Sequence, residues 1–140
     1  VHEWDLHAYP VLHWTWRPRE FPRGADEQAG RNDSALAIYV VFRHTPVTVK
    51  SLKYIWSERV AKGTRLESSH GLTQVLVVES GAPRDPRAWV EERADVVEDY
   101  RRRFNERDAP KPLGIAVLTD SDDTKSYAEG DYAGFEACRG

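Results

Sequence analysis

Three carboxylates lie within four residues in the stretch TDSDDT, residues 119–124, directly after the apolar run LGIAVL. Carboxylate oxygens are ligands that Ca²⁺ prefers, so Asp120, Asp122 and Asp123 are candidate calcium ligands. A helix-loop-helix calcium site that starts at Asp120 requires Gly at its sixth position, where this chain has Lys125. That type of site is excluded, and a looser site with carbonyl ligands from a neighbouring loop remains. Asp and Ser also close tight turns, and a turn that ends a strand is the simpler interpretation.

Aromatic residues at alternate positions form a second candidate set. Trp14 and Trp16 share one side of an extended segment, and Tyr54 and Trp56 share one side of another. Flat rings with a polar rim can stack on sugar rings, and five Trp in 140 residues is a generous supply. Core packing is the simpler interpretation of Trp14 and Trp16, because Leu12 lies on the same side. Tyr54 and Trp56 are predicted ligand-binding residues. Core packing is also the simpler interpretation of Trp56, although its neighbours Lys53 and Ser57 suggest a rim.

The predicted ligand-binding set is completed by Trp89, Arg93 and Asp99, near a predicted strand-to-helix junction. Arg93 and Asp99 could instead form a partly buried ion pair that fixes the helix on the sheet, and this structural role is preferred. Glycoside hydrolysis would need two carboxyl groups about 5 to 10 Å apart. The candidates for such a pair are Glu58, Glu79, Asp99 and Asp120. Nothing distinguishes one of them, and the chain has no nucleophile elbow, HExxH, P-loop or dinucleotide motif, so no catalytic residue is assigned.

Composition and charge narrow the class of protein. A chain of 140 residues fits one domain, and we expect a single domain over 1–140. The net charge of -3 gives nucleic acid little reason to bind, and no apolar run approaches the ~20 residues of a membrane span. The single Cys138 excludes an internal disulfide.

The hydrophobic pattern predicts a strand-rich chain with one helix. Residues 11–17 and 51–57 alternate apolar and polar side chains, and 35–43 is apolar on both faces, as a central strand would be. The remaining predicted strands are 73–80, 113–119 and, with weaker patterns, 88–93 and 131–137. A helix is predicted over about 96–105, capped by Asp95 with Glu98 three residues later. The elements indicate a mostly β fold, an antiparallel β-sandwich with one short helix.

An ordered set of motifs gives the chain a family resemblance. The motifs are L-x-W-x-W from Leu12, Y-x-W from Tyr54, W-x3-R from Trp89, D-Y-x3-F from Asp99 and the TDSDDT stretch. Together they resemble the bacterial family called domain of unknown function 3047, over about Leu12 to Phe135 and the C-terminal two-thirds or so of the family pattern. The resemblance implies a jelly-roll sandwich similar to galactose-binding domains, in a family that is often exported, so the periplasm or secretion is expected and the cytoplasm stays open.

The chain also departs from this family pattern. A further N-terminal stretch of strands is expected in the family, so the chain could be a fragment whose sandwich is completed by absent residues or a partner. The family tends to carry Arg where this chain has Ala37, which puts in doubt any site that relies on that Arg. It also tends to carry Gly where this chain has Asn105.

Three functions are compatible with this pattern. The preferred hypothesis is a non-catalytic binding or accessory module, with a carbohydrate as the expected ligand and calcium as the expected ion if the acidic stretch binds metal. The second is a structural subunit of a larger complex, because missing strands would expose a sheet edge to a protein partner. The third is a glycan-acting enzyme that uses Asp120 or Asp122 with Asp99. Fold analogy does not choose among them.

Overall fold

The computed structural model of the protein describes residues 4–20, 36–57, 60–81, 85, 87–118 and 129–139. Within them the chain forms eight strands and one α-helix. The strands are β1 (Val11–Glu20), β2 (Leu36–Thr45), β3 (Thr48–Ser57), β4 (Arg65–Ser68), β5 (Thr73–Ser80), β6 (Val90–Asp95), β7 (Gly114–Leu118) and β8 (Glu129–Cys138). The helix, α1 (Val96–Phe104), follows β6 directly.

The strands form two sheets that face each other. One has three strands in the order β6-β1-β8, and the other has five in the order β4-β5-β3-β2-β7. The described pairs are antiparallel except for β3 and β5. After β3 the chain reverses direction to form β4, and it reverses again to form β5, which inserts between β3 and β4. Strand β5 therefore runs antiparallel to β4 and parallel to β3. The predicted mostly β sandwich with one short helix is confirmed, and the β3–β5 pair is its one departure from antiparallel pairing within the described residues.

The main hydrophobic core lies between the two sheets. From β1 it takes Leu12, Trp14 and Trp16, which are at most 1% exposed. The indoles of Trp14 and Trp16 pack edge to face, with ring centroids 5.4 Å apart. The five-stranded sheet contributes the alternate apolar side chains of its central strands: Leu36, Ile38, Val40 and Phe42 of β2, and Leu52, Tyr54 and Trp56 of β3. The structure therefore confirms core packing for Trp14 and Trp16.

A smaller apolar cluster covers the outer face of the five-stranded sheet. It consists of Ala37, Ile55, Val75 and Val77, with Val60 from the segment after β3. This second layer explains why β2 is apolar on both faces. Ala37 is 1% exposed within it, so this position takes part in packing.

The helix ends follow the local sequence. At the N-terminus, the Asp95 carboxylate accepts a hydrogen bond from the backbone N–H of Glu98 at 3.0 Å, as the capping pattern predicts. At the C-terminus, Asn105 adopts the left-handed conformation with φ 53° and ψ 44°. Gly and Asn are the residues favoured there, so Asn105 suits the end of this helix.

Beyond its C-terminus, the helix is anchored to β3 through a buried lysine. Lys50 is 7% exposed, and its Nζ contacts Glu106 Oε2 at 2.9 Å and lies 4.8 Å from the ring centroids of both Tyr100 and Phe104. The Tyr100 hydroxyl also donates a hydrogen bond to Glu106. These hydrogen bonds, from Tyr100 first and then from Lys50, lower the pKa of Glu106. The cluster fixes the chain that leaves α1.

Two strands differ from the sequence expectations. The strand predicted at 88–93 is displaced to β6, Val90–Asp95, so that it leads into the helix without a loop. The four-residue strand β4 lies between the predicted strands 51–57 and 73–80, in a polar segment where no strand was predicted. Its backbone pairs with β5 from Arg65 opposite Leu76 to Ser68 opposite Thr73. Pairing with an existing strand stabilises a segment whose own side chains give no strand pattern.

Candidate functional site

A cleft opens where β6 approaches β4 and β5 of the facing sheet. Its volume is about 360 Å³, within the ~300–1,000 Å³ usual for small-molecule sites. One wall carries Glu92 and Arg93 of β6 and Asp99 of α1, and the other includes Tyr54 of β3 and the segment 62–65. Three residues of the predicted ligand-binding set, Tyr54, Arg93 and Asp99, therefore line one cleft.

A hydrogen-bonded pair joins the two walls of the cleft. The Tyr54 hydroxyl donates to Asp99 Oδ2 at 2.7 Å. Burial raises the pKa of Asp99, while the hydrogen bond from Tyr54 and the charge of Arg65 oppose the increase. Burial, followed by the charge of Asp99, raises the pKa of Tyr54 well above its usual value. The phenol therefore stays protonated at physiological pH and holds the carboxylate in place.

The second acidic group of the cleft is Glu92, which points into the sandwich. It is paired with Trp14 in the β6–β1 register and is only 9% exposed. Burial, reinforced by a hydrogen bond with Glu79 and by the charge of Glu79, raises the pKa of Glu92 to about 9, while the charge of Lys62 opposes the increase. Glu92 is thus a buried carboxyl that holds its proton at neutral pH.

Glu79 reaches Glu92 because of an irregularity in β5. The parallel register pairs Ile55 with Val77 and then Trp56 with Glu79, so one additional residue, Val78, lies between the two pairs. In a regular parallel pair of strands, Trp56 would be paired with Val78 and not with Glu79. A bulge of this kind re-aims a side chain, and here it places Glu79 on the same face of the sheet as the core residue Trp56.

Four buried polar atoms have no well-aligned hydrogen-bond partner among the described residues: His13 Nδ1, Trp14 Nε1, Trp16 Nε1 and Glu92 Oε2. The Trp16 indole is nevertheless close enough to the Glu92 carboxyl to oppose the increase in its pKa. An unsatisfied buried polar atom costs about 1–3 kcal/mol. Native proteins rarely keep such atoms without a structural or functional reason. At Glu92 the atom belongs to a residue that lines the cleft.

The positive charges of the cleft lie at its rim. The Lys62 side chain is 68% exposed, and its Nζ is 3.9 Å from Glu79 Oε2. Arg65 is exposed and donates from Nη1 to the Gly63 carbonyl at 3.3 Å. Arg93 is exposed as well. The cleft therefore has an acidic, partly buried floor and a basic rim in contact with solvent.

The other predicted ligand residues lie outside this cleft. Trp56 is 3% exposed and donates from Nε1 to the Gly81 carbonyl at 2.8 Å, so its ring belongs to the core and offers no open face for stacking. Trp89 is 43% exposed, and the Arg17 guanidinium lies over its ring at 4.6 Å. Both rings are therefore already in contact with protein groups.

The predicted metal ligands Asp120, Asp122 and Asp123 lie outside the described residues. Within the described ranges, no group of three or more His, Cys, Asp or Glu side chains is arranged to hold a metal ion. The calcium hypothesis for 119–124 stays a prediction.

Sequence reasoning missed Glu92 and did not distinguish Glu79. Glu92 shares its strand face with Val90 and Ala94, so the alternation already placed a carboxyl on an apolar face. That pattern is a usable signal for a buried acid. For Glu79 no such signal exists. Regular alternation along β5 would place its side chain on the outer face of the sheet with Val75 and Val77, and the sequence does not reveal the bulge.

The fold and the cleft define a small β-sandwich protein with an acidic pocket at the junction of its two sheets. Residues 2–136 match the family model of the protein of unknown function DUF3047, and the chain belongs to that family. The expectation that only the C-terminal two-thirds of the pattern is present, from about Leu12, is wrong, because the match begins at residue 2. No curated protein and no solved structure matches the chain. Across the described residues, no helix combines the length and apolar character that a membrane crossing requires.

Proposed function

We propose that the chain is a non-catalytic binding module that holds a small hydroxylated ligand, a carbohydrate, in the cleft between its sheets. The observation that carries the proposal is the Tyr54–Asp99 pair at 2.7 Å, which lies in the same cleft as the partly buried carboxyl of Glu92. Rigid, partly desolvated acceptors and donors are what hydroxyl groups need for specific binding.

The chemistry of the lining suits a sugar. A carboxylate at Asp99 accepts from ligand hydroxyls, and the exposed guanidinium groups of Arg65 and Arg93 donate to ring and hydroxyl oxygens. Leu76 and Val78 supply apolar contact for the carbon faces of the ring. Because the ring of Trp56 is buried, this binding depends on hydrogen bonds and aliphatic contact, and aromatic stacking has no part in it.

Glycan-array binding followed by calorimetry on the positive ligands tests the proposal. Asp99→Asn should weaken binding about tenfold or more, because a neutral amide accepts hydrogen bonds less strongly than a carboxylate. Asp108→Asn is the matched control, since Asp108 is 74% exposed and pairs only at 3.8 Å with Arg101. An array without positive ligands, with and without calcium, would reject the proposal.

A second function, as a subunit of a larger assembly, is favoured by the apolar edge at β7. Ile115 and Val117 pair with the core residues Val40 and Ile38, yet each is 39% exposed. The three-stranded sheet therefore leaves the inner face of β7 partly open. An exposed apolar edge strand is a common site of strand pairing with another chain. Sedimentation velocity distinguishes the two functions, because an edge that needs a partner should make the isolated chain self-associate at micromolar concentration.

A further inference from the structure

The two sheets have four edge strands within the described residues, and three of them carry features that discourage pairing with another chain. β4 exposes the charged side chains of Arg65 and Glu67. The exposed side chains of β6 are all charged: Glu91, Arg93 and Asp95. β8 pairs irregularly with β1 at two points. Charged side chains and irregular pairing are devices that keep the sheet edges of natural proteins from joining.

The fourth edge strand, β7, has neither kind of protection. Its sequence, GIAVL, carries no charge, and its pairing with β2 is regular from Gly114 to Leu118. Ile115, Ala116 and Val117 are all exposed, so both faces of the strand reach solvent. In the part of the chain that the structure describes, β2 is the only strand that pairs with β7. β7 is therefore the edge on which a further strand can add to the sheet.

The pattern of β7 fits a second copy of the same strand. A two-fold axis at Ala116 in an antiparallel pair places Ile115 of each copy opposite Val117 of the other, on the face that carries the core residues Ile38 and Val40. The apolar side chains of the two edges then pack against each other. No like charges meet within the paired strands, although the chain has a net charge of -3.

The charges on either side of β7 in the sequence are complementary in such a pair. The sequence is basic before the strand, at Lys111, and acidic after it, at Asp120. Antiparallel pairing directs the basic end of each strand toward the acidic end of the other, and it would not do so for a parallel pair. Complementary charges of this kind fix the orientation and register of an interface.

We propose that two copies of the chain associate through β7, by antiparallel pairing about Ala116, into a dimer with one continuous sheet. The inference rests on the second proposed function, assembly through this edge, and adds the identity of the partner. Two five-stranded sheets then join into one, which reaches the size of about ten strands that open twisted sheets accommodate. Because the other three edges are protected, association stops at two copies.

Sedimentation velocity at micromolar concentrations tests the proposal, and the wild type should form a dimer and no larger species. Ala116→Lys places two like charges opposite each other at the two-fold axis and should weaken association at least about tenfold. Ala116→Glu should do the same. An equimolar mixture of these two variants should recover a dimer, because unlike charges then face each other. Ala133→Lys is the matched control, since it adds the same charge to an exposed alanine of the edge strand β8 and should behave as the wild type.

Hydrogen exchange of the wild type gives a second readout that needs no variant. The amides of Gly114–Leu118 should exchange more slowly at concentrations where the dimer forms than at lower ones. A dimer that neither Ala116 variant weakens, or whose β7 amides gain no protection, would overturn this inference and leave assembly through another surface standing. A wild type that stays monomeric, as expected if the edge takes a strand from a different protein, would overturn both the inference and self-assembly. Carbohydrate binding in the cleft is tested separately and is unaffected by either result.

Discussion

Replacing Glu92 by Gln should change how the stability of the protein depends on pH. The folded protein raises the pKa of this carboxyl to about 9 from an ordinary value of 4.5, with burial as the main cause. A group whose pKa is raised by folding contributes stability below its unfolded pKa, and the contribution is lost as the pH rises through the folded pKa. The wild type should therefore lose stability from about pH 5 to pH 9 through Glu92, and the Gln variant should not.

The magnitude follows from linkage. One proton difference between the folded and unfolded states changes the free energy of unfolding by about 1.4 kcal/mol per pH unit, or about 2.7 kcal/mol between pH 6 and pH 8. Solvent access through the open cleft and the nearby Lys62 ammonium reduce the effect, so a smaller change is expected. The stability of Glu92→Gln relative to wild type should increase by about 1–2 kcal/mol over this range.

Urea denaturation followed by tryptophan fluorescence measures this difference at several values of pH. The comparison between variant and wild type cancels the titration of groups that both proteins share. Glu91→Gln is the control, because Glu91 is an exposed neighbour on the same strand. The difference in the free energy of unfolding between this variant and the wild type should stay constant with pH. If the free energies of unfolding of Glu92→Gln and wild type change with pH in parallel, Glu92 is ionised in the folded protein at neutral pH. The reasoning about its raised pKa then fails.

Three further predictions concern stability and are checked by chemical denaturation. Tyr54→Phe leaves a partly buried carboxylate without its phenolic donor and should cost about 1–2 kcal/mol. Glu106→Gln should cost about 2 kcal/mol near pH 7, because it leaves the buried Lys50 ammonium without its carboxylate. That loss should shrink in acid, since the lowered pKa of Glu106 means that its contribution disappears as the pH falls, and adding Lys50→Met should recover most of it. Trp14→Ala should cost about 3–5 kcal/mol, whereas Trp89→Ala, at a half-exposed ring, should cost less than about 1 kcal/mol.

The parts of the fold that the sequence predicted are those that depend on side-chain periodicity. Trp14 and Trp16 recur at the spacing of two that fills one face of a strand, and the structure buries both completely. The spacing of three and four in the helix, with Asp95 before it, likewise matches α1. These features are local, so a single sequence contains the information they need.

The parts that escaped prediction depend on contacts between distant segments. β4 is a strand because β5 offers it a free edge, although its own residues resemble a loop. The parallel pairing of β3 with β5 depends on the order of strands in the sheet, which periodicity does not encode. The Tyr54–Asp99 hydrogen bond joins residues 45 positions apart. The sequence therefore identified both residues as candidates but did not predict that they are in contact.

The cleft lies where the two sheets stop covering each other, and this position explains its chemistry. The same alternation that sends Val90 and Ala94 toward the core sends Glu92 there, and the bulge in β5 sends Glu79 to meet it. An apolar residue in place of Glu92 would extend the core and avoid the cost of burying a carboxyl group. Apolar packing alone therefore does not account for this acid.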